Sequence, residues 1–239
     1  MAKRPVFIIK DTAPFFEEKL IEFKFYSGFA EVQKRKSICS LHESFLLEYP
    51  NYKVLEISSK SEKELGIKLS AFNLMIETNK TKKEYSVEVA FQSSKVFEKG
   101  GPYLDILEMT SREAKKDIRL KESGKLKCFS YFGRVFELNP VNYFYNWLYI
   151  NTLNLNINKD LGNELMEYSA FTDIEFNPDK SLNCQARAAA VYVSLRKQGL
   201  LEKALENKEK FLEVAYGNIN NNRDNSNVIG KQLSILDNI

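Results

Sequence analysis

Metal ligands are scarce in this sequence. A single histidine, His42, and three scattered cysteines, Cys39, Cys128 and Cys184, stand in 239 residues, so neither a zinc site nor a histidine-based redox centre has the donors it needs. The cysteines are odd in number and include no Cys-x-x-Cys pair, which excludes a disulfide framework and points to a reducing interior, with the cytoplasm as the expected compartment. Long apolar runs are missing too. No window approaches the roughly 18 apolar residues of a membrane span, and the apolar run in MAKRPVFIIKD is four residues, too short for a signal peptide. The phosphate and nucleophile signatures GxxxxGK, GxGxxG, HExxH and GxSxG are absent. No metal, no cofactor and no membrane are therefore expected.

An excess of one charge is also lacking: 35 Lys and Arg against 32 Asp and Glu leave +3, which permits a polyanionic partner without demanding one. What is present is core material. A hydrophobic share of 44%, with 13% aromatics, supports one sizeable core in a chain of this length. No repeat and no convincing linker divides it, so a single domain is expected over residues 1–215, followed by an Asn-rich loop and tail at 216–239 that contains GNINNNRDNSN and a short docking helix over Ile229–Leu236.

Val6–Ile9 and the alternating Ile21–Tyr26 read as strands, and KRKSICSLHESFLLEYP as a helix closed by Pro50 and followed by a strand in YKVLEIS. Lys34, Arg35 and Lys36 sit at the entrance of that helix as a solvated face or as phosphate contacts. LGIKLSAFNL, interrupted by Gly66, Ser70 and Asn73, reads as a folded loop. Ser86 offers an N-cap to a helix that runs until Gly100, Gly101 and Pro102 stop it. Glu88 and Lys95, seven residues apart, would then share one face about two turns apart with Gln92 between them, either as a reactive pair or as a wet polar stripe. TSRE at Thr110–Glu113 is a capping-box pattern opening a second helix. On it Lys115 and Arg119, four apart, share a face, while Lys116 and Lys121 point elsewhere.

Leu126–Phe136 reads as strand, turn and strand, and Tyr143–Leu153 as a buried helix whose Trp147 or Tyr145 belongs to the core or stacks on a base. A final long helix over NCQARAAAVYVSLRKQG ends at Gly199. Its Arg187 has small neighbours that leave the guanidinium open to a phosphate, a carboxylate or a structural salt bridge.

These segments carry a resemblance. LSAFNL at Leu69–Leu74, VEVAFQSSKVF at Val87–Phe97 and AKKDIR at Ala114–Arg119, with FGRVFELNP in support, are similar to the NADAR family. GFAEVQKRKSI, FTDIEFNP and NCQARAAA match the style of its subgroup encoded beside bacterial ADP-ribosyltransferase toxins that modify guanine in DNA. The resemblance covers about Pro5 to Leu201 and departs at SLNCQARAAAVYVSL, where family members have a Gly/Asn-containing segment leading into a Leu-Met helix; Asn183, Gln185 and Arg187 are the candidates there. It implies an α+β fold, mixed α/β, with helices around a small sheet in one compact domain. It also implies an antitoxin that hydrolyses ADP-ribose from guanine in DNA, its link to the cognate toxin functional rather than physical.

In that reading Lys95 is the nucleophile, Glu88 the proton shuttle, and Gln92 and Asn73 orient hydroxyls. Lys115 and Arg119 lower the Lys95 pKa, Arg119 clamps pyrophosphate, and Arg187 and Trp147 complete the binding set. Two alternatives stand beside it: a non-catalytic antitoxin that binds DNA or toxin, and an N-glycosidase for a small ribosylated amine.

Overall fold

The computed structural model describes residues 1–217 except 29, 79, 80 and 180. The Asn-rich segment from residue 218 on, with the docking helix expected over 229–236, lies outside the described residues. In chain order the elements are β1 (Ala2–Ile9), β2 (Phe16–Phe23), α1 (Glu31–Glu48), β3 (Val54–Glu56), α2 (Glu64–Lys68), β4 (Met75–Glu77), β5 (Glu84–Ser86), α3 (Val87–Ser93) and β6 (Lys95–Phe97). A 3-10 turn at Leu104–Glu108 leads to α4 (Ser111–Lys116), α5 (Arg119–Glu122), β7 (Leu126–Tyr131), β8 (Arg134–Phe136), α6 (Tyr143–Leu153), α7 (Lys159–Leu165) and β9 (Ala170–Thr172). The last elements are α8 (Gln185–Lys197), α9 (Leu201–Leu205) and α10 (Lys208–Tyr216).

The alternation of β1 decides the layering. Val6 and Ile8 face one way, toward Ile38, Leu41 and Phe45 of α1, while Phe7 faces the larger core that contains α6 and α8. A two-residue period therefore buries both faces of one sheet between helices. That sheet runs β2-β1-β9-β3, mixed in sense, because β9 is antiparallel to β1 and parallel to β3. A second sheet, β6-β7-β8, and the β4-β5 hairpin pack around α3 and α6. The chain is thus an α+β, mixed α/β protein, with helices around small sheets as the resemblance implied.

Helix α6 is apolar on all sides and is buried on all sides, as such a helix must be. Its bounds are those read from the sequence, and Gly199 follows α8 with φ +66° as a C′ glycine should. The strand–turn–strand at 126–136 turns at Gly133, also at positive φ. Other elements differ from expectation. The first-helix reading of 86–99 is corrected: α3 ends at Ser93 and the chain enters β6, while Gly100 closes a turn back onto Phe97. The second helix is broken at Asp117, whose ψ of 124° separates α4 from α5. Part of the loop reading of 65–74 is replaced by α2, and the polar stretch before Ser86 forms a hairpin. Among the described residues no helix is long and apolar enough to cross a membrane.

Candidate functional site

Helix α3 carries the site, and its N-terminus is tied down by a relay of hydroxyls. Ser86 Oγ accepts from Val89 N at 3.2 Å and lies 2.7 Å from Ser111 Oγ, which donates to Phe72 O at 3.0 Å. With the Ser111 proton spent on Phe72, Ser86 donates the proton between the two hydroxyls. Glu88 N donates to Ala71 O at 2.8 Å, so the loop at 70–74 is stitched to the first turn of α3. The Ser86 cap expected from sequence is present, as is the Thr110–Glu113 capping box on α4.

These elements line a cavity of about 890 Å³ with Glu88 and Gln92 from α3 and Lys95 just beyond it, with Lys115 from α4, and with Phe72, Tyr145 and Asp173. Glu88 and Lys95 do open onto one cavity, though not from one helix face. Ser94 caps α3, and Lys95 reaches the cavity as the first residue of β6, paired with Phe129 on β7. Gln92 Nε2 donates to Glu88 Oε1 at 2.9 Å, which fixes that carboxylate, while Gln92 Oε1 is buried with no partner among the described residues.

Lys95 has no ion pair or hydrogen bond among the described residues; its Nζ lies 5.2 Å from the centre of the Phe91 ring. Burial pushes its pKa down from 10.5 to about 8, with the nearby Glu88 carboxylate opposing and the Lys115 cation assisting. At that value an appreciable share of the amine is unprotonated near neutrality. Lys115 sits over the Phe72 ring at 5.2 Å and completes the cationic wall.

The other candidates lie elsewhere. Arg119, which the i, i+4 spacing placed beside Lys115, is re-phased by the break at Asp117 and is held by two carboxylates: Nη2 lies 2.6 Å from Asp105 Oδ2 and 2.6 Å from Asp117 Oδ2. Lys121 is exposed, as expected, and borders the cavity. Asn73 Nδ2 is spent on Ile67 O and Ser70 Oγ, outside the cavity, while its neighbours Ser70, Ala71 and Phe72 line it. Trp147 packs against Phe136 and Phe144 in the core. Tyr145, two residues away and so about 200° round the same helix, is the aromatic that faces the cavity.

Arg187 resolves to its structural alternative: the guanidinium lies over Phe7 at 5.1 Å, donates to Leu182 O and pairs with Glu18 at 3.6 Å. Gln185 and Asn183 line the cavity, but the Gln185 amide is a brace, accepting from Ala71 N at 2.7 Å and donating to Ile57 O at 2.6 Å. At the entrance of α1, Lys34 pairs with Glu175 at 3.0 Å and Arg35 with Glu31 at 2.6 Å.

Asp173 is the cavity residue that sequence reading passed over. It follows β9, accepts from Glu175 N and Phe176 N through Oδ1, and is buried beside Glu56. Burial, then the Glu56 carboxylate, pushes its carboxyl well above the ordinary range. Glu56 is anchored by Thr172 Oγ1 at 2.6 Å and Ile174 N at 2.8 Å, and His42 Nε2 donates to Thr172 Oγ1 at 2.8 Å. Burial holds His42 near a pKa of about 4, so the ring is neutral, and because Thr172 Oγ1 gives its own proton to Glu56 the ring proton is assigned to Nε2. One aspartate after the triplet Ala170–Thr172 carries no spacing signal; only the three-residue strand, central in its sheet, delivers it to the cavity.

A family model described as DarT1-associated NADAR antitoxin matches residues 2–225, and the chain belongs to that family. No curated protein matches it significantly.

Proposed function

We propose that this member of the DarT1-associated NADAR antitoxins is an N-glycosidic hydrolase that strips ADP-ribose from guanine bases in DNA, and so reverses a toxin's modification instead of blocking the toxin by contact. Its working unit is residues 1–215, with Lys95 and Glu88 as the reacting groups and Gln92 and Lys115 as binding groups. The observation that carries the reading is a Lys95 amine with no hydrogen bond or ion pair among the described residues, facing the same cavity as Glu88, where burial lowers its pKa to about 8. A surface lysine serving only to attract phosphate has no need of such burial, whereas a nucleophilic amine must be partly unprotonated.

The chemistry follows from that pair. As the sugar C1′–O4′ bond breaks with its electrons going to O4′, Glu88 takes the proton from the glycosidic N–H and passes it to O4′, leaving a C1′=N imine to the base. The neutral Lys95 amine adds to C1′, and one of its protons moves to the base nitrogen. Glu88, protonated again from Lys95, protonates that nitrogen as the C1′–N bond breaks with its pair, releasing the base and leaving a neutral C1′=N imine to Lys95. Water adds at C1′ and gives one proton through Glu88 to the lysine nitrogen; Glu88 then carries the remaining hydroxyl proton to that nitrogen as the C1′–N bond breaks with its pair, which returns neutral Lys95 and open-chain ADP-ribose that recloses. A positioned acid–base group of this kind contributes about 10²–10⁴-fold.

The test is turnover on a guanine-modified oligonucleotide with substoichiometric protein. Release of many ADP-ribose groups per chain, loss of that release in Lys95→Ala and Lys95→Arg, and a borohydride-trapped adduct mapped to Lys95 are expected. Arginine keeps the charge but forms no imine. Release that never exceeds the protein added would instead leave a binding antitoxin, and turnover of a free ribosylated amine in preference to DNA would move the substrate to a small metabolite.

A further inference from the structure

The ring of Tyr145 is buried, and its hydroxyl has no partner among the described residues. The residue is 6% exposed, lines the cavity, and has no hydrogen bond from its hydroxyl to any described residue. Buried hydroxyls are almost always paired, so an open one facing a cavity marks a position where a ligand supplies the partner. The ring is not free to turn away: Phe91 meets it edge-on at 5.3 Å, Tyr149 stacks on it at 6.3 Å, and Tyr149 is itself anchored through its hydroxyl to Leu69 O at 2.7 Å. The charges that reach it are Glu88 and Asp173, both on the cavity wall.

The donor inventory narrows its role. Of the polar neutral side chains that α3 and α6 contribute to the cavity, Gln92 gives one of its two amide protons to Glu88, whereas the Tyr145 hydroxyl gives its proton to no described residue. We propose that Tyr145 donates this hydrogen bond to a sugar oxygen of the bound substrate, at the end where Glu88 and Lys95 act. The inference rests on the hydrolase reading above. Because the donor is held rigidly in a desolvated wall, it is pre-aimed at an oxygen that gains charge as the sugar opens.

Tyr145→Phe removes one oxygen and leaves the ring packing intact, and it is measured in three ways against wild type and Lys95→Ala. Single-turnover release from the modified guanine oligonucleotide is expected to fall by about 10²-fold, ADP-ribose affinity by calorimetry to weaken, and the melting temperature to hold or rise because no protein hydrogen bond is lost. A Tyr145→Phe rate within twofold of wild type while Lys95→Ala is inactive overturns the tyrosine's role and leaves the hydrolase standing. A melting temperature lowered by several degrees overturns it as well, since the hydroxyl would then be structural. If wild type shows no turnover at all, the hydrolase reading falls, and the tyrosine's contact is decided by ADP-ribose affinity alone: it stands if the substitution weakens binding at least fivefold and falls if it does not.

Discussion

Lys95 is expected to show opposite responses to the loss of its two charged neighbours. With a pKa of about 8 in place of 10.5, about a tenth of the amine is neutral at pH 7 against about 0.03% for an exposed lysine, a gain of about 300-fold in nucleophile. Burial supplies most of the shift, Glu88 opposes it and Lys115 adds to it. Lys115→Met should therefore raise the Lys95 pKa, and Glu88→Gln should lower it. Competitive labelling of amines at a series of pH values, with mass mapping of the Lys95 peptide, reads both shifts without relying on activity. The folded-state value lies below the unfolded one, so holding the ammonium costs the native state stability. That cost is full below about pH 8 and disappears as pH rises to 10.5. Its size is up to about 3 kcal/mol from 1.36 kcal/mol per unit, and Lys95→Met should recover much of it at pH 7 in a denaturant melt. Shifts of the same sign in the two neighbour variants, or a labelling midpoint near 10.5 in the wild type, would refute the electrostatic argument.

Glu88→Gln should slow single-turnover release by about 10²-fold while leaving ADP-ribose affinity within a few-fold, because Ser86 and not Glu88 caps α3; a nearly unchanged rate across pH removes Glu88 from the proton path. Arg119→Ala should lower stability slightly, by unpairing the half-buried Asp117 from its guanidinium, with ADP-ribose affinity unmoved; a large loss of affinity would return Arg119 to the binding set. His42, neutral with a folded pKa of about 4 against 6.5 unfolded, makes the native state lose stability as pH falls from 6.5 to 4. The loss is about 3 kcal/mol in all, so the stability difference between wild type and His42→Gln should narrow or reverse over that window in urea titrations, and a pH-independent difference would count against it.

Local chemistry along the chain was enough to determine several features. The Ser86 cap, the Thr110–Glu113 box, the all-apolar α6 and the Gly199 stop depend on neighbours within a turn or two, and each is where the residues placed it. The Glu88–Gln92 pair was legible for the same reason, since both lie within α3. Spacing failed where a helix ended early. Lys95 reaches the cavity from β6, and the break at Asp117 sends Arg119 to two aspartates. A helix end decided by tertiary pairing, as at Ser94 where Ser130 N donates to Ser94 O at 2.7 Å, leaves little trace in periodicity. The three-residue β9 is the clearest case. Its strand state comes from partners more than a hundred residues distant, β1 on one side and β3 on the other, and only their pairing carries Asp173 into the cavity. Which helices and caps form was thus decided by interactions within a few residues; which polar groups lose water and face one another was decided by the fold, because desolvation belongs to the packed cavity and not to any segment that lines it.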